Sequence, residues 1–150
     1  MELKDGRLMM FIRTQLGRQY LSFSSDRGDT WSEARASDIL SPLSPASIKR
    51  IPTTGHLLMV WNDHSFAEDS IRASAASGGK RTPLTVAISA DDGRTWITRR
   101  NLRDDPDGWY CYTAIHFDGA RVLLAFADGG SGLPRLSRTS IAWFDLAALE

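Results

Sequence analysis

Short apolar runs recur along the chain, each five residues long: Leu8-Met9-Met10-Phe11-Ile12, Leu57-Leu58-Met59-Val60-Trp61, Leu84-Thr85-Val86-Ala87-Ile88 and Val122-Leu123-Leu124-Ala125-Phe126. Gly, Pro, Asp and Ser bound them, the residues that supply positive φ, a fixed φ or a side-chain acceptor to a turn. Asp5-Gly6 and Asp118-Gly119 stand between apolar runs as hairpin turns do, and Thr54-Gly55 takes the same place before Leu57. No stretch keeps a helical period over three turns, and the tail from Asp145 to Glu150 has room for one helical turn. The pattern predicts an all-β chain. Its strands are expected near 7–14 and 18–24, followed by a short outer strand; near 45–51, 57–62, 83–89 and 97–101; and near 111–117, 121–127 and 136–144. A polar, Ser/Ala/Gly-rich stretch from Asn62 to Lys80 reads as a long insertion between strands,.

One turn is repeated. Ser24-Ser25-Asp26-Arg27-Gly28-Asp29-Thr30-Trp31 and Ser89-Ala90-Asp91-Asp92-Gly93-Arg94-Thr95-Trp96 share the form S-x-D-x-G-x-T-W, 65 residues apart. Ser and Asp bond nearby backbone N–H groups, Gly takes a backbone angle other residues resist, and Trp supplies a large ring to bury under the hairpin. The D-x-D-x-D-G spacing of a calcium loop is absent, so these aspartates read as structural. The motif resembles the Asp box, a staple between the third and fourth strands of a propeller blade. A repeat of this period, with one long insertion, suits a propeller.

Composition narrows the function. Eighteen basic and eighteen acidic residues give a formal net charge of zero, so no global field draws the chain to nucleic acid or to an anionic membrane,. A single cysteine, Cys111, excludes an intrachain disulfide,. The apolar runs are far too short to span a bilayer as helices. The start Met1-Glu2-Leu3-Lys4-Asp5 lacks the form of a signal peptide, so the expectation for the chain as written is cytoplasmic, a reading that an upstream segment would change,. His56, His64 and His116 show no metal-ligand spacing, and no phosphate loop, CxxC pair or dinucleotide fingerprint is present,. Neither a metal nor a cofactor is expected.

Three features carry candidate chemistry: Arg13 in Met10-Phe11-Ile12-Arg13-Thr14; Arg81 in Arg81-Thr82-Pro83-Leu84, with Arg72 and Lys80 as neighbouring alternatives; and Tyr112 in Tyr110-Cys111-Tyr112-Thr113-Ala114-Ile115. Their order and spacing relative to the two turns resemble the later half of exo-sialidases (neuraminidases) of the bacterial and animal type. The resemblance covers nearly the whole chain. It implies an incomplete sialidase-like β-propeller, about three four-stranded antiparallel blades with Asp-box turns, covering approximately 1–42, 43–105 and 106–150 of one partial domain. It also implies a glycoside hydrolase ancestry, cleaving terminal sialic acids.

Carried over residue by residue, Arg13 and Arg81 are two arginines of a carboxylate-binding triad and Tyr112 is the nucleophile. Arginine forks bind a carboxylate with paired hydrogen bonds. A neutral phenol escapes the repulsion that a carboxylate nucleophile meets from an acidic sugar. Tyr110 stays open as the alternative, because a step of two keeps the same strand face. Trp109 reads as packing, and Cys111 is expected on the opposite face, buried and inert. Arg50 and Asn62, with Ser47 and Lys49, are further candidates for lining the same axis and contacting the substrate.

The family also needs a first arginine, an Asp acid/base and a Glu that activates the tyrosine. By its pattern, Glu2-Leu3-Lys4-Asp5-Gly6 follows that Glu, so Glu2 is not its equivalent. The expectation is a chain that is inactive alone, its phenol keeping a pKa near the ordinary ~10. The alternative is a carbohydrate- or anion-binding module, or an assembly module, without catalysis. Two uncovered blade faces further predict a homo-oligomer, with a homodimer the simplest form.

Overall fold

In the computed structural model, which describes residues 1–65 and 79–149, ten strands form three antiparallel sheets. The first sheet holds β1 (Leu8–Ile12), β2 (Arg18–Ser24) and β3 (Arg35–Leu40) in that order. The middle sheet holds β4 (Ser47–Arg50), β5 (Leu57–Trp61), β6 (Leu84–Ser89) and β7 (Ile97–Arg103). The third holds β8 (Cys111–Asp118), β9 (Arg121–Gly130) and β10 (Leu133–Asp145), followed by a 3-10 turn at Leu146–Leu149. The all-β expectation holds, and the strands lie close to their expected positions. Four strands per sheet are met only in the middle one; the first and third have three each among the described residues. Most of the expected insertion, and Arg72 with it, lies outside the described residues.

The middle sheet explains the unbroken apolar runs. A strand covered on one face alternates apolar and polar; one covered on both does not. Leu58, Val60, Val86 and Ile88 point to the third sheet, into a core with Val122, Leu124, Phe126 and Tyr110. Leu57, Met59, Trp61 and Ala87 point the other way, towards the first sheet, where Met9, Phe11 and Ile39 meet them. All five residues of β5 are at most 1% exposed, and burying each large side chain stabilises the fold by about 1.5–3 kcal/mol. Among the described residues, the third sheet is covered on one face only. Val122, Leu124, Ala142 and Phe144 face the core, whereas Ile141 and Trp143 of β10 remain exposed beside Ala125 and Leu123.

The two repeated turns are built by the same bonds. Gly28 N–H donates to Ser24 Oγ (2.8 Å), Ser24 Oγ to Asp26 Oδ1 (2.7 Å), and Thr30 N–H and Oγ1 to the two oxygens of Asp26 (2.9 and 2.5 Å). In the second turn Gly93 N–H donates to Ser89 Oγ (2.7 Å), Ser89 Oγ to Asp91 Oδ1 (2.8 Å), and Thr95 N–H and Oγ1 to Asp91 (2.8 and 2.7 Å). Gly28 and Gly93 have φ of +100° and +86°, and a Cβ at Gly93 would press on Met9 Cε at 3.1 Å. The tryptophans differ. Trp96 stands edge-on to Phe11 between two sheets, with ring centroids 6.4 Å apart. Trp31 is 37% exposed, not buried as expected, because no sheet among the described residues covers that side of the first one.

Bonds to the ionised carboxylates hold Asp26 and Asp91 at a pKa of about 2, below the ordinary 3.8; the hydroxyl of Thr30 or Thr95 acts most strongly, then its N–H, then the serine. A carboxyl whose folded pKa is lowered contributes stability above its unfolded pKa and loses it as pH falls through the folded one. Asp26→Asn and Asp91→Asn are therefore expected to lower the melting temperature at pH 7. The gap to the unsubstituted chain should close as pH drops from 3.8 towards 2. Thermal melts by circular dichroism across that range check this.

Candidate active site

The strands run so that the two turns lie at one end of the sheets and the sequence-predicted residues at the other. Ser24 pairs with Leu8 and Ser89 with Leu57 at the turn end; Ile12 pairs with Tyr20 and Trp61 with Thr85 at the opposite end. Arg13 follows the last residue of β1, where the Thr14 hydroxyl donates to the Arg18 carbonyl (2.7 Å) and closes the β1–β2 hairpin. Arg81 precedes β6, its carbonyl accepting from Tyr110 N–H (2.9 Å) and so tying it to the start of β8. Asn62, 1% exposed, lies beneath: its amide donates to the carbonyls of Pro83 (3.0 Å) and Tyr110 (3.1 Å). It thus clamps the two segments that carry Arg81 and Tyr112.

These elements bring Arg13, Arg81 and Tyr112 together. The Arg81 guanidinium stands 5.2 Å from the Tyr112 ring centroid. The positive charge of Arg81, and after it that of Arg13, holds the phenol's pKa below the ordinary 10.0. Guanidinium groups stabilise the phenolate, so the expectation of an unshifted phenol does not hold. Arg81 is itself anchored, donating to Cys111 Sγ (3.0 Å) and to the Leu43 carbonyl (3.2 Å). No hydrogen bond joins a carboxylate to Arg13, Arg81 or Tyr112 among the described residues.

The strand is not regular at this point. Tyr112 has φ of +55°, and the β8–β9 register slips between Cys111 and Ala114. A positive φ in a bulky residue is strained, and such strain persists where the surroundings impose it. The bulge breaks the alternation that kept Tyr110 open as the alternative. Tyr110 is 6% exposed, packs edge-on against Phe126 (6.2 Å) and has its pKa raised, first by burial; Tyr112 is 51% exposed. The bulge also turns Cys111 towards Arg81 rather than away. Its thiol is buried, and burial raises its pKa although Arg81 opposes this.

The remaining candidates stand elsewhere. Arg50 is not brought to this group. It lies at the turn end of β4, held by Asp92 (2.9 Å) and by the carbonyls of Gly55 (2.7 Å) and Glu2 (2.8 Å). Asn62 is close, but both its donor bonds run to backbone, so it positions the site instead of facing a ligand. Ser47 and Lys49 tie β4 to β8 through the carbonyls of Thr113 (2.6 Å) and Ile115 (3.0 Å). Lys80 donates to Pro106 and Asp107. A cavity of about 880 Å³ opens between the first and middle sheets at the turn end, lined by Met9, Phe23, Asp91 and Trp96, and contains none of the three convergent residues.

Sequence reasoning missed two neighbours. Trp109, expected to be simple packing, has Arg81 at 5.4 Å and Arg135 at 4.0 Å from its ring centroid. Arg135 lies in the irregular first part of β10, beside a Leu136 of positive φ, and no sequence signal marks it.

An exposed tyrosine with arginines beside it thus stands at one end of three antiparallel sheets. Residues 1–124 match the BNR repeat-like domain, and the chain belongs to this sialidase-like BNR family. The intramolecular trans-sialidase from Ruminococcus gnavus, solved in complex with oseltamivir carboxylate, is similar in structure, with a TM-score of 0.69 at 18% identity. The match covers 99% of this chain and 32% of that one, so the chain spans about a third of its length. At that identity the likeness speaks for the fold. No curated protein sequence matches the chain.

The phenol supplies a direct check. The chain has three tyrosines. In a spectrophotometric titration at the phenolate band, Tyr112 is expected to ionise at lower pH than Tyr110. Tyr112→Phe should remove the earlier phase, and Arg81→Gln should move it to higher pH. An unchanged early phase in Tyr112→Phe would refute the assignment.

Proposed function

We propose that the chain is part of a sialidase-like β-propeller, its repeated turns being Asp boxes and its sheets blades, and that Arg13, Arg81 and Tyr112 form an acidic-sugar site. The observation that carries this is the placing of two guanidinium groups by an exposed, strained tyrosine with no neutralising carboxylate among the described residues. Arg13 and Arg81 bind the carboxylate of a sialic acid-like sugar, and the Tyr112 oxygen faces its anomeric carbon as the ancestral nucleophile. The arginines favour the phenolate, but among the described residues no carboxylate stands by to take the phenol proton. Efficient attack by a hydroxyl needs such a base. The reading is therefore a glycoside hydrolase site of exo-sialidase ancestry that, in this 150-residue chain, binds without turnover.

Isothermal titration with N-acetylneuraminic acid is expected to show binding. Arg13→Gln and Arg81→Gln should each weaken it about 10- to 100-fold, from about 1.5–3 kcal/mol per charge-assisted hydrogen bond. An aryl sialoside should not be hydrolysed above the buffer rate. Turnover that disappears in Tyr112→Phe would overturn the non-catalytic part of the reading; absence of binding would overturn the site.

We further propose that the chain self-associates, a homodimer being the simplest form. Ile141 and Trp143 are 71% and 64% exposed on the outward face of the third sheet, where Leu123 and Ala125 extend the apolar area. The opposite face of that sheet is core, and a second copy would cover this one in the same way. Light scattering after size exclusion should give a mass above 16.6 kDa that falls with dilution and in Trp143→Ser. A 16.6 kDa species at every concentration would count against it.

A further inference from the structure

Arg81, Trp109 and Arg135 form a stack. Both guanidinium carbons stand over the Trp109 ring, at 5.4 Å and 4.0 Å from its centroid, which places them within about 10 Å of each other,. At that separation two like charges are not fully screened, so the arrangement costs free energy unless something offsets it. The indole π-face offsets part. Among the described residues no carboxylate does: Arg81 donates to a thiol and a carbonyl, and Arg135 has neither a hydrogen bond nor an ion pair.

The backbone holds Arg135 there at a strain. The β9–β10 register slips between Leu133 and Arg138, and Ser131 and Leu136 have φ of +52° and +59°. Gly130 is paired with Gly108 so closely that a Cβ at Gly130 would overlap the Asp107 carbonyl, and a Cβ at Gly129 would overlap the Pro134 carbonyl. Ser131 is tied to the same loop, its N–H donating to the Asp107 carbonyl (3.0 Å) and its hydroxyl to Asp105. Trp109 N–H donates to the Gly129 carbonyl (2.9 Å). The hairpin tip and the loop before β8 are thereby joined, and the joint sets Arg135 on Trp109. A stacked guanidinium keeps its N–H edge free for an acceptor.

We infer that Arg135 is a second anion contact of this site, held on Trp109, and that the site prefers an acidic sugar bearing a second anionic group over one with a single carboxylate. This rests on the proposed acidic-sugar site. One anion meets Arg13 and Arg81; the second meets Arg135 beyond the indole.

Titration of the chain with N-acetylneuraminic acid and with its α2,8-linked dimer, at fixed ionic strength, tests it. The dimer is expected to bind about tenfold more tightly, as one added charge-assisted contact allows. Arg135→Gln should abolish that preference while leaving the single sugar within about twofold. Trp109→Leu, which leaves the charge but removes its platform, should reduce the preference too. Arg135 is exposed, so its substitution should leave the thermal melt unchanged. Equal affinity for the two sugars, or a preference that survives Arg135→Gln, overturns this inference while the acidic-sugar site stands. Failure of both sugars to bind overturns both.

Discussion

The central strands of the middle sheet, β5 and β6, have two apolar faces and no aqueous one, and the rest of the molecule follows from that. Leu57 to Trp61 cannot be buried by a single partner layer, so one neighbouring sheet must lie on each side. Side chains alternate strictly along β5, sending Leu58 and Val60 one way and Leu57, Met59 and Trp61 the other. This arrangement aligns the ends of β1, β5 and β8. Residues just beyond those ends are distant in sequence yet are delivered to one edge: Arg13 after β1, Arg81 before β6, and Tyr112 at the start of β8.

The two ends of the sheets are made differently. At the turn end, neutral donors close around Asp26 and Asp91, and the chain satisfies its own charges. At the other end Arg13, Arg81 and Arg135 have no carboxylate partner among the described residues. The first end is built from repeated local bonds that a sequence motif encodes. The second depends on long-range clamps, such as the Asn62 amide between Pro83 and Tyr110. A stable scaffold and an unneutralised site therefore occupy opposite ends of the same strands.

The fold was largely legible in the sequence because its signals are local. Apolar runs, Gly-containing turns and the S-x-D-x-G-x-T-W repeat marked the strands within a few residues. Arg13, Arg81 and Tyr112 were legible from spacing against those turns. What spacing could not give was direction. Tyr112 differs from Tyr110 only through a bulge and a φ of +55° that no local residue preference announces. Arg50 has the composition of a ligand contact, but Asp92, far along the chain, holds it elsewhere. Asn62 was placed near the right region with the wrong role, since its amide serves two carbonyls. Arg135 reaches the site through an irregular strand, where periodic reasoning has nothing to count.

The contact of Gly130 with the Asp107 carbonyl has a mechanical consequence. Because no side chain separates them, the hairpin tip and the loop before β8 are held as one unit, with Trp109 and Arg135 on the same side of the joint. Arg81 is tied to the same joint, its carbonyl accepting from Tyr110 N–H and its guanidinium donating to Cys111 Sγ. The spacing between the two cations is thus set at a pair of glycines that bear no charge.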